Sequence, residues 1–271
     1  MSTKENKKIV LSKSYNNATF DVIEYENLEG ATDIMMAANL FYAKQQGMKI
    51  RSVRITLNNT TVKTEAGALY YSLGNIQSDT KFGGVGGFLK KSVGGALTEE
   101  SVAKPTYSGK GFIYLEPSFS HYYFLELNNN SIIIDKGLFY CCSDSIDIKS
   151  VMNKTMSSLA LGNEGAFQIQ ASGSGIIVLE LPVPANEIME IDLTKYGELK
   201  IDGNFAIART SDVKFTVTKS QKTLLKSAMG GEGFLNTYTG TGKVWIAPTA
   251  PVYKKFYSPY GIANDSSNSL D

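Results

Sequence analysis

Gly109-Lys110-Gly111-Phe112-Ile113-Tyr114-Leu115-Glu116-Pro117 joins a Gly-x-Gly to a short apolar run that ends in proline, and the chain uses this phrase three times. The second copy is Gly173-Ser174-Gly175, followed by the apolar run 176–182, which is one residue longer. The third is Gly240-Thr241-Gly242, followed by Lys243-Val244-Trp245-Ile246-Ala247-Pro248. The phrases lie 64 and 67 residues apart. Self-similarity at a near-constant period marks a repeat, and a repeat governs the architecture.

Two further landmarks recur in step. Ala66-Gly67-Ala68-Leu69-Tyr70-Tyr71, Lys136-Gly137-Leu138-Phe139-Tyr140-Cys141 and Asp202-Gly203-Asn204-Phe205-Ala206-Ile207 are spaced by 70 and 66 residues. Each places a glycine, suited to a sharp bend or a positive φ, between two extended segments. Glu100, Glu164 and Glu232 stand 9, 9 and 8 residues before their Gly-x-Gly. Upstream of the first and last, Leu89-Lys90-Lys91-Ser92-Val93-Gly94-Gly95 matches Leu225-Lys226-Ser227-Ala228-Met229-Gly230-Gly231 in pattern.

Around these landmarks the periodicity is that of strands. Val53-Arg54-Ile55-Thr56-Leu57 and Val213-Lys214-Phe215-Thr216-Val217 alternate apolar and polar residues, the pattern of a strand with one wet face. Ile132-Ile133-Ile134 and Leu138-Phe139-Tyr140 are continuous apolar runs, suited to strands covered on both faces. Asn58-Asn59 and Asn128-Asn129-Asn130 are expected to supply turns. Fifteen Tyr and thirteen Phe fit pleated surfaces better than helices.

The expected fold is therefore all-β: three tandem β-sandwich-like repeats in a pseudo-threefold arrangement, with one or a few short helices. The expected division is an N-terminal tail at 1–13, repeat 1 at 14–108, repeat 2 at 109–172, repeat 3 at 173–239 and a C-terminal tail at 254–271. The last Gly-x-Gly strand opens a unit that the chain never finishes, so 240–253 is expected to complete repeat 1. One helix is expected over 33–46, where Ile34, Ala37, Ala38 and Phe41 fall at helical spacing, Thr32 or Asp33 could cap the start and Gly47 could end it. Shorter helical turns are expected near 88–93, 151–159 and 221–228.

Composition narrows the chemistry. Hydrophobic residues make up 42% of the 271 and charged residues 20%, enough for a packed core. Lys and Arg total 27 against 26 acidic residues, a net charge of +1, which is not the basic excess of a nucleic-acid binder. Only Arg51, Arg54 and Arg209 could grip phosphate bidentately. A single His121 and the adjacent Cys141-Cys142 cannot supply a metal site or a His-based triad. The two cysteines read as buried or half-buried free thiols. Gly83-Gly84-Val85-Gly86-Gly87 lacks the terminal Gly-Lys-Ser/Thr of a phosphate loop, and Leu89 breaks the dinucleotide pattern. Pairs such as Asp144 and Asp147 read as turn residues.

No catalytic residue, metal or cofactor is assigned. Lys90, Lys91, Glu100, Glu164, Lys226 and Glu232 are the candidate binding residues, because equivalent positions in a pseudo-threefold body can converge near its axis. The bland alternative, in which each Glu pins a loop through backbone N–H groups, is the commoner use of such a residue.

Glu65-Ala66-Gly67-Ala68-Leu69-Tyr70-Tyr71, Gly83-Gly84, Lys90, Gly94-Gly95 and Gly109-Lys110-Gly111, taken together, resemble the mitochondrial-biogenesis family named for altered inheritance of mitochondria. The resemblance covers roughly 18–253. It implies a fold like the tryptophan RNA-binding attenuation protein, tripled within one chain, in a bacterial-type member. It implies no catalytic residues. The segment 33–48 departs from the pattern as an added helix, and 96–99 is a small insertion.

The expectation is a non-enzymatic scaffold or binding protein, self-associating, with an unknown protein or small-molecule ligand. The alternatives are RNA or nucleic-acid binding, suggested by fold resemblance alone, and membrane-surface association through Lys4, Lys7, Lys8, Lys254 and Lys255. A cupin-like metal enzyme would need several His ligands. No run approaches the roughly 20 apolar residues of a spanning helix, and no signal-like run follows the first lysines, so a cytoplasmic location is expected.

Overall fold

The computed structural model describes residues 6–79, 104–135, 137–152, 167–219 and 234–257, and what it describes is mostly strand. In chain order come β1 (Lys7–Tyr15), β2 (Ala18–Tyr25), α1 (Ile34–Gln45), β3 (Arg51–Thr64) and β4 (Leu69–Asp79). They are followed by β5 (Thr106–Leu115), β6 (His121–Ile134), β7 (Phe139–Ser143), β8 (Ile146–Met152) and β9 (Phe167–Leu181). The remainder is β10 (Met189–Asp192), the single turn α2 (Leu193–Tyr196), β11 (Glu198–Asp202), β12 (Ala206–Thr210) and β13 (Lys214–Lys219). Last are β14 (Phe234–Thr239), β15 (Lys243–Ile246) and α3 (Ala250–Tyr257). The all-β reading holds. The chain divides into two compact units, the first of 1–131, 137–151 and 169–181, the second of 132–136, 152–168 and 182–271.

In the first unit, β3 is the organising strand. Its first half pairs with β2 on one edge, and β5 runs along the other from Arg54 to Lys63. Beyond the end of β2, residues Val62 to Thr64 pair with β7, which pairs in turn with β9. Alternation along β3 turns Val53, Ile55 and Leu57 inward, opposite Val22, Phe20 and Ala18 of β2 in register. Ile113, Leu115, Tyr107, Cys141 and Val178 close the same core. Each large side chain buried there contributes about 1.5–3 kcal/mol of transfer free energy. In the second unit, β11, β14 and β13 form one small sheet. The end of β6 pairs with β12, and β15 is paired on both edges, by β12 and β10. Its core is Leu193, Ile201, Val213, Tyr238, Val244 and Ile246. Trp245 is buried beside it in β15 and donates its indole N–H to Glu190 Oε2 at 3.0 Å.

All six glycines of the Gly-x-Gly phrases take positive φ: 132° and 150°, 128° and 148°, 108° and 132° in chain order. The first pair shows why. Gly109 and Gly111 in β5 lie against β4 so closely that a Cβ on either would strike a backbone carbonyl oxygen, that of Asn75 or Leu73. Only a residue without Cβ permits that approach.

Several expectations are corrected. The expected tail at 1–13 is mostly strand, since β1 pairs antiparallel with β2 from Lys7 to Tyr15. Asn16 and Asn17, at φ 42° and 63°, form the two-residue turn between them, as hairpin turns with two left-handed residues require. Asn58-Asn59 is not a turn. Asn59, at φ 53°, makes a bulge inside the 14-residue β3, because the chain continues in register beyond it along β5. Asn129, at φ 52°, lies likewise within β6. The segment 240–253, expected to complete repeat 1, belongs to the second unit, where β15 is paired on both edges by β10 and β12. The expected tail at 254–271 begins as the last turn of α3. The expected helix at 33–46 is α1, with Asp33 as its N-cap accepting from Met36 N–H at 2.8 Å. The helical turns expected at 88–93 and 221–228 lie outside the described residues. So does 153–159, while Val151 and Met152 end β8.

Candidate functional site

The candidate residues Lys90, Lys91, Glu100, Glu164, Lys226 and Glu232 all lie outside the described residues. The described residues instead form a cleft in the first unit, of about 200 Å³, lined by Tyr15, Asn16, Ala18, Thr60, Thr61, Ser143, Asp144 and Ser145. Three local structures meet there. The Asn16-Asn17 turn is held to β3 by the Asn58 N–H donated to the Asn17 carbonyl, 3.0 Å. The Asn59 bulge re-aims the following residues of β3, Thr60 and Thr61. The β7–β8 turn brings Ser143, Asp144 and Ser145.

That turn is firmly fixed. Lys63 Nζ donates to the Asp144 carbonyl at 2.5 Å and the Ile146 carbonyl at 2.7 Å, and lies 3.5 Å from Asp144 Oδ1. Ser145 Oγ donates to the Ser174 carbonyl at 2.6 Å, and Ser143 Oγ accepts the Ile176 N–H at 3.1 Å. Gly175, the second glycine of its phrase, leaves space that the Ser143 side chain fills, since a Cβ there would sit 2.7 Å from Ser143 Cβ. The Asp144 carboxylate is half exposed, at 55%. The residues lining the cleft thus include hydroxyl, carboxamide and carboxylate side chains together with Tyr15.

A smaller recess in the second unit holds about 20 Å³, room for one water. Asp135, Gln168, Arg209, Phe215 and Tyr238 are among its lining. Burial lowers the Arg209 pKa, and the guanidinium donates to the Val213 carbonyl at 2.7 Å. Burial raises the Tyr238 hydroxyl, with Arg209 opposing and Asp135 adding to the shift. Gln168 Oε1 is buried without a hydrogen-bond partner among the described residues. Such an atom calls for an ordered water, and the recess fits one.

The other sequence-flagged groups sit elsewhere. Cys141 and Cys142 are free and buried in β7. Desolvation raises the Cys141 pKa and pushes Cys142 up to about 12. Neither is a reactive thiolate near neutrality. At pH 8 an alkylating reagent is therefore expected to leave both unmodified in the native chain and to label both in denaturant. Native labelling at the denatured rate would contradict their burial. Tyr122 is likewise raised, to about 12, chiefly by desolvation.

For all three groups the folded pKa exceeds the unfolded value. The stability they contribute is complete below about pH 9 and is lost as pH climbs toward 12. Urea midpoints should thus hold level from pH 7 to 8.5 and fall above 9; a midpoint rising there would contradict the assignment. His121 begins β6, its Nδ1 lying 3.3 Å from Arg51 Nη1. Among the described residues, no three His, Cys, Asp or Glu side chains converge as metal ligands do.

Asp144 had been readable in sequence only as a turn residue. Thr60, Thr61 and Asn16 carry no catalytic or ligand-binding motif. Their one signal is adjacency to asparagines that adopt left-handed backbone conformations.

The family described as mitochondrial biogenesis AIM24 matches this chain over residues 44–249. An uncharacterized protein of Streptococcus pyogenes serotype M6 is 24% identical over 220 residues, which is 78% of this chain and 87% of that protein. An X-ray crystal structure of a Streptococcus pyogenes protein aligns with a TM-score of 0.53 at 19% identity, covering 77% of this chain and 94% of that one. At that identity the likeness concerns fold alone.

Proposed function

The chain belongs to the mitochondrial biogenesis AIM24 family, and we propose that it is a non-enzymatic binding protein whose first unit holds a small, hydroxyl-rich ligand. The observation that carries this reading is the cleft itself. Around about 200 Å³ it gathers the hydroxyl-bearing residues Thr60, Thr61, Ser143 and Ser145 with Asn16, Asp144 and Tyr15. Vicinal hydroxyls are recognised by such paired donors and acceptors, and an aromatic face packs against the C–H side of a ring. The volume lies below the roughly 300–1,000 Å³ of drug-sized sites, which limits the ligand to about one sugar ring.

Catalysis needs a base positioned on a nucleophile, whereas Ser145 Oγ donates to the Ser174 carbonyl and Ser143 Oγ accepts the Ile176 N–H. Arg51 and Arg54 are engaged by Glu24 at 2.8 Å and Asp21 at 2.7 Å, so they are not poised for phosphate. A triplicated sheet module is part of the same reading, supported by the shared positive φ of the three glycine phrases.

Saturation-transfer NMR with glucose, N-acetylglucosamine and glycerol tests the site. Transfer to at least one of the two sugars is expected from the native chain. It should fall at least fivefold in a Thr60→Val/Asp144→Asn variant, with the sugar recovered unchanged. Equal transfer to both proteins, or none to either, overturns the reading.

A further inference from the structure

The hairpin of β2 and β3 carries α1 on an insertion with a closed neck. Tyr25 N–H donates to the Ile50 carbonyl at 2.9 Å, and Lys49 Nζ donates to the Glu26 carbonyl at 2.6 Å. Asn6 and Asn27 bond one another just outside, at 2.8 and 3.0 Å. Beyond that neck α1 is capped at both ends, by Asp33 at its start and by the Gly47 and Met48 N–H groups turning back on Lys44 and Ala43. A 12-residue helix is marginal by itself in water. Yet no residue of α1 is buried.

Its side chains divide into two faces. Leu40 and Ala43 are half-buried. Ile34, Met35, Ala38, Phe41 and Tyr42 recur at the i, i+1, i+4, i+7, i+8 spacing of a single face, and they are exposed. Ile34 is 86% exposed, Met35 72%, Phe41 58% and Tyr42 68%. The face carries no charge.

We propose that this face is the interface through which two copies of the chain pair, α1 against α1 in an antiparallel, two-fold contact. Several observations choose this occupant. Side chains of this size and exposure, with Met36 at the margin, offer about 600 Å² of apolar area per copy, close to the roughly 800 Å² per partner of a standard interface. The largest apolar patch of a typical monomer spans about 300–600 Å², so this face stands at the upper end of that range. A two-fold contact is self-complementary, so a single uncharged face suffices for both partners. A lipid surface fits less well. Interfacial helices set a cationic face against their apolar one, whereas Lys44 is the only charged residue of α1. At 1.5 Å per residue the helix is also about 18 Å long, short of a roughly 30 Å hydrocarbon core. Most of α1 precedes the family match, which begins at 44.

Sedimentation velocity of the full chain at 1–50 μM, beside two variants, tests this. Ile34→Glu/Phe41→Glu charges the face, and a second variant replaces 28–47 with Gly-Gly, leaving the neck intact. The native chain is expected to sediment as a dimer. Both variants should sediment as monomers, with self-association weakened at least 100-fold and their β-sheet circular dichroism unchanged. A monomeric native chain overturns the proposal, whether or not it pellets with anionic liposomes. So does a dimer that survives in either variant. Loss of the sheet signal in both variants overturns it as well, by making α1 a part of the core.

Discussion

Gly111→Ala is expected to cost about 4 kcal/mol or more, enough to lower the melting temperature of a chain this size by roughly 10 °C. Gly111 sits at φ +150° directly opposite Gly74 of β4, whose own φ is +96°. A Cβ on Gly111 would collide with the Leu73 carbonyl oxygen and lie 3.1 Å from Gly74 Cα. Both obstacles are backbone. They cannot rotate aside, so the β4–β5 ladder must part. Gly67→Ala is the control. Its φ of +82° carries the left-handed penalty of about 1–2 kcal/mol, but nothing lies within 4 Å of the new carbon. Thermal melts of the two variants should differ by a wide margin. Equal melting temperatures would mean that the strands do not approach as described.

Arg54→Ala should destabilise the first unit by about 3 kcal/mol, mainly through what it leaves behind. Asp21 is buried at 3% exposure in the middle of β2. It receives Arg54 Nε at 3.1 Å and Nη2 at 2.7 Å, and the Ser12 hydroxyl at 2.6 Å. Removing the guanidinium leaves a desolvated carboxylate with one neutral donor. Asp21→Asn/Arg54→Leu should recover more than half of the loss, because no uncompensated charge remains. Urea denaturation of the single and double variants measures the difference. A double variant no more stable than Arg54→Ala would show that the pair, and not the orphaned charge, carries the energy.

Sequence reading succeeded where a backbone requirement leaves one residue type. Gly109, Gly111 and their counterparts were legible because close strand approach excludes every side chain. The α1 boundaries were legible because Asp33 and Gly47 are local signals read within one turn. Asn16-Asn17 was the missed one: two left-handed residues between alternating segments mark a hairpin, and the lysines of β1 obscured it. Asn59 misled in the opposite direction. A single left-handed asparagine suits a turn or a bulge equally, and only the pairing of β3 with β5 beyond it decides. The cleft was not legible, because it joins a turn, a bulge and a second turn drawn from residues 15–18, 60–61 and 143–145. No spacing rule links such segments. Thr64 and Ser143, buried polar residues of strands, depend on the same long-range pairing.

Trp245 is the chain's single tryptophan. Its indole, enclosed in β15 and tied to Glu190, belongs wholly to the second unit. Intrinsic emission excited at the red edge therefore watches one half of the polypeptide, while amide dichroism averages over both. Recording the two signals along a single denaturant gradient turns an accident of composition into a built-in regional thermometer. Superimposed curves describe a cooperative whole, and displaced ones describe halves that melt in sequence.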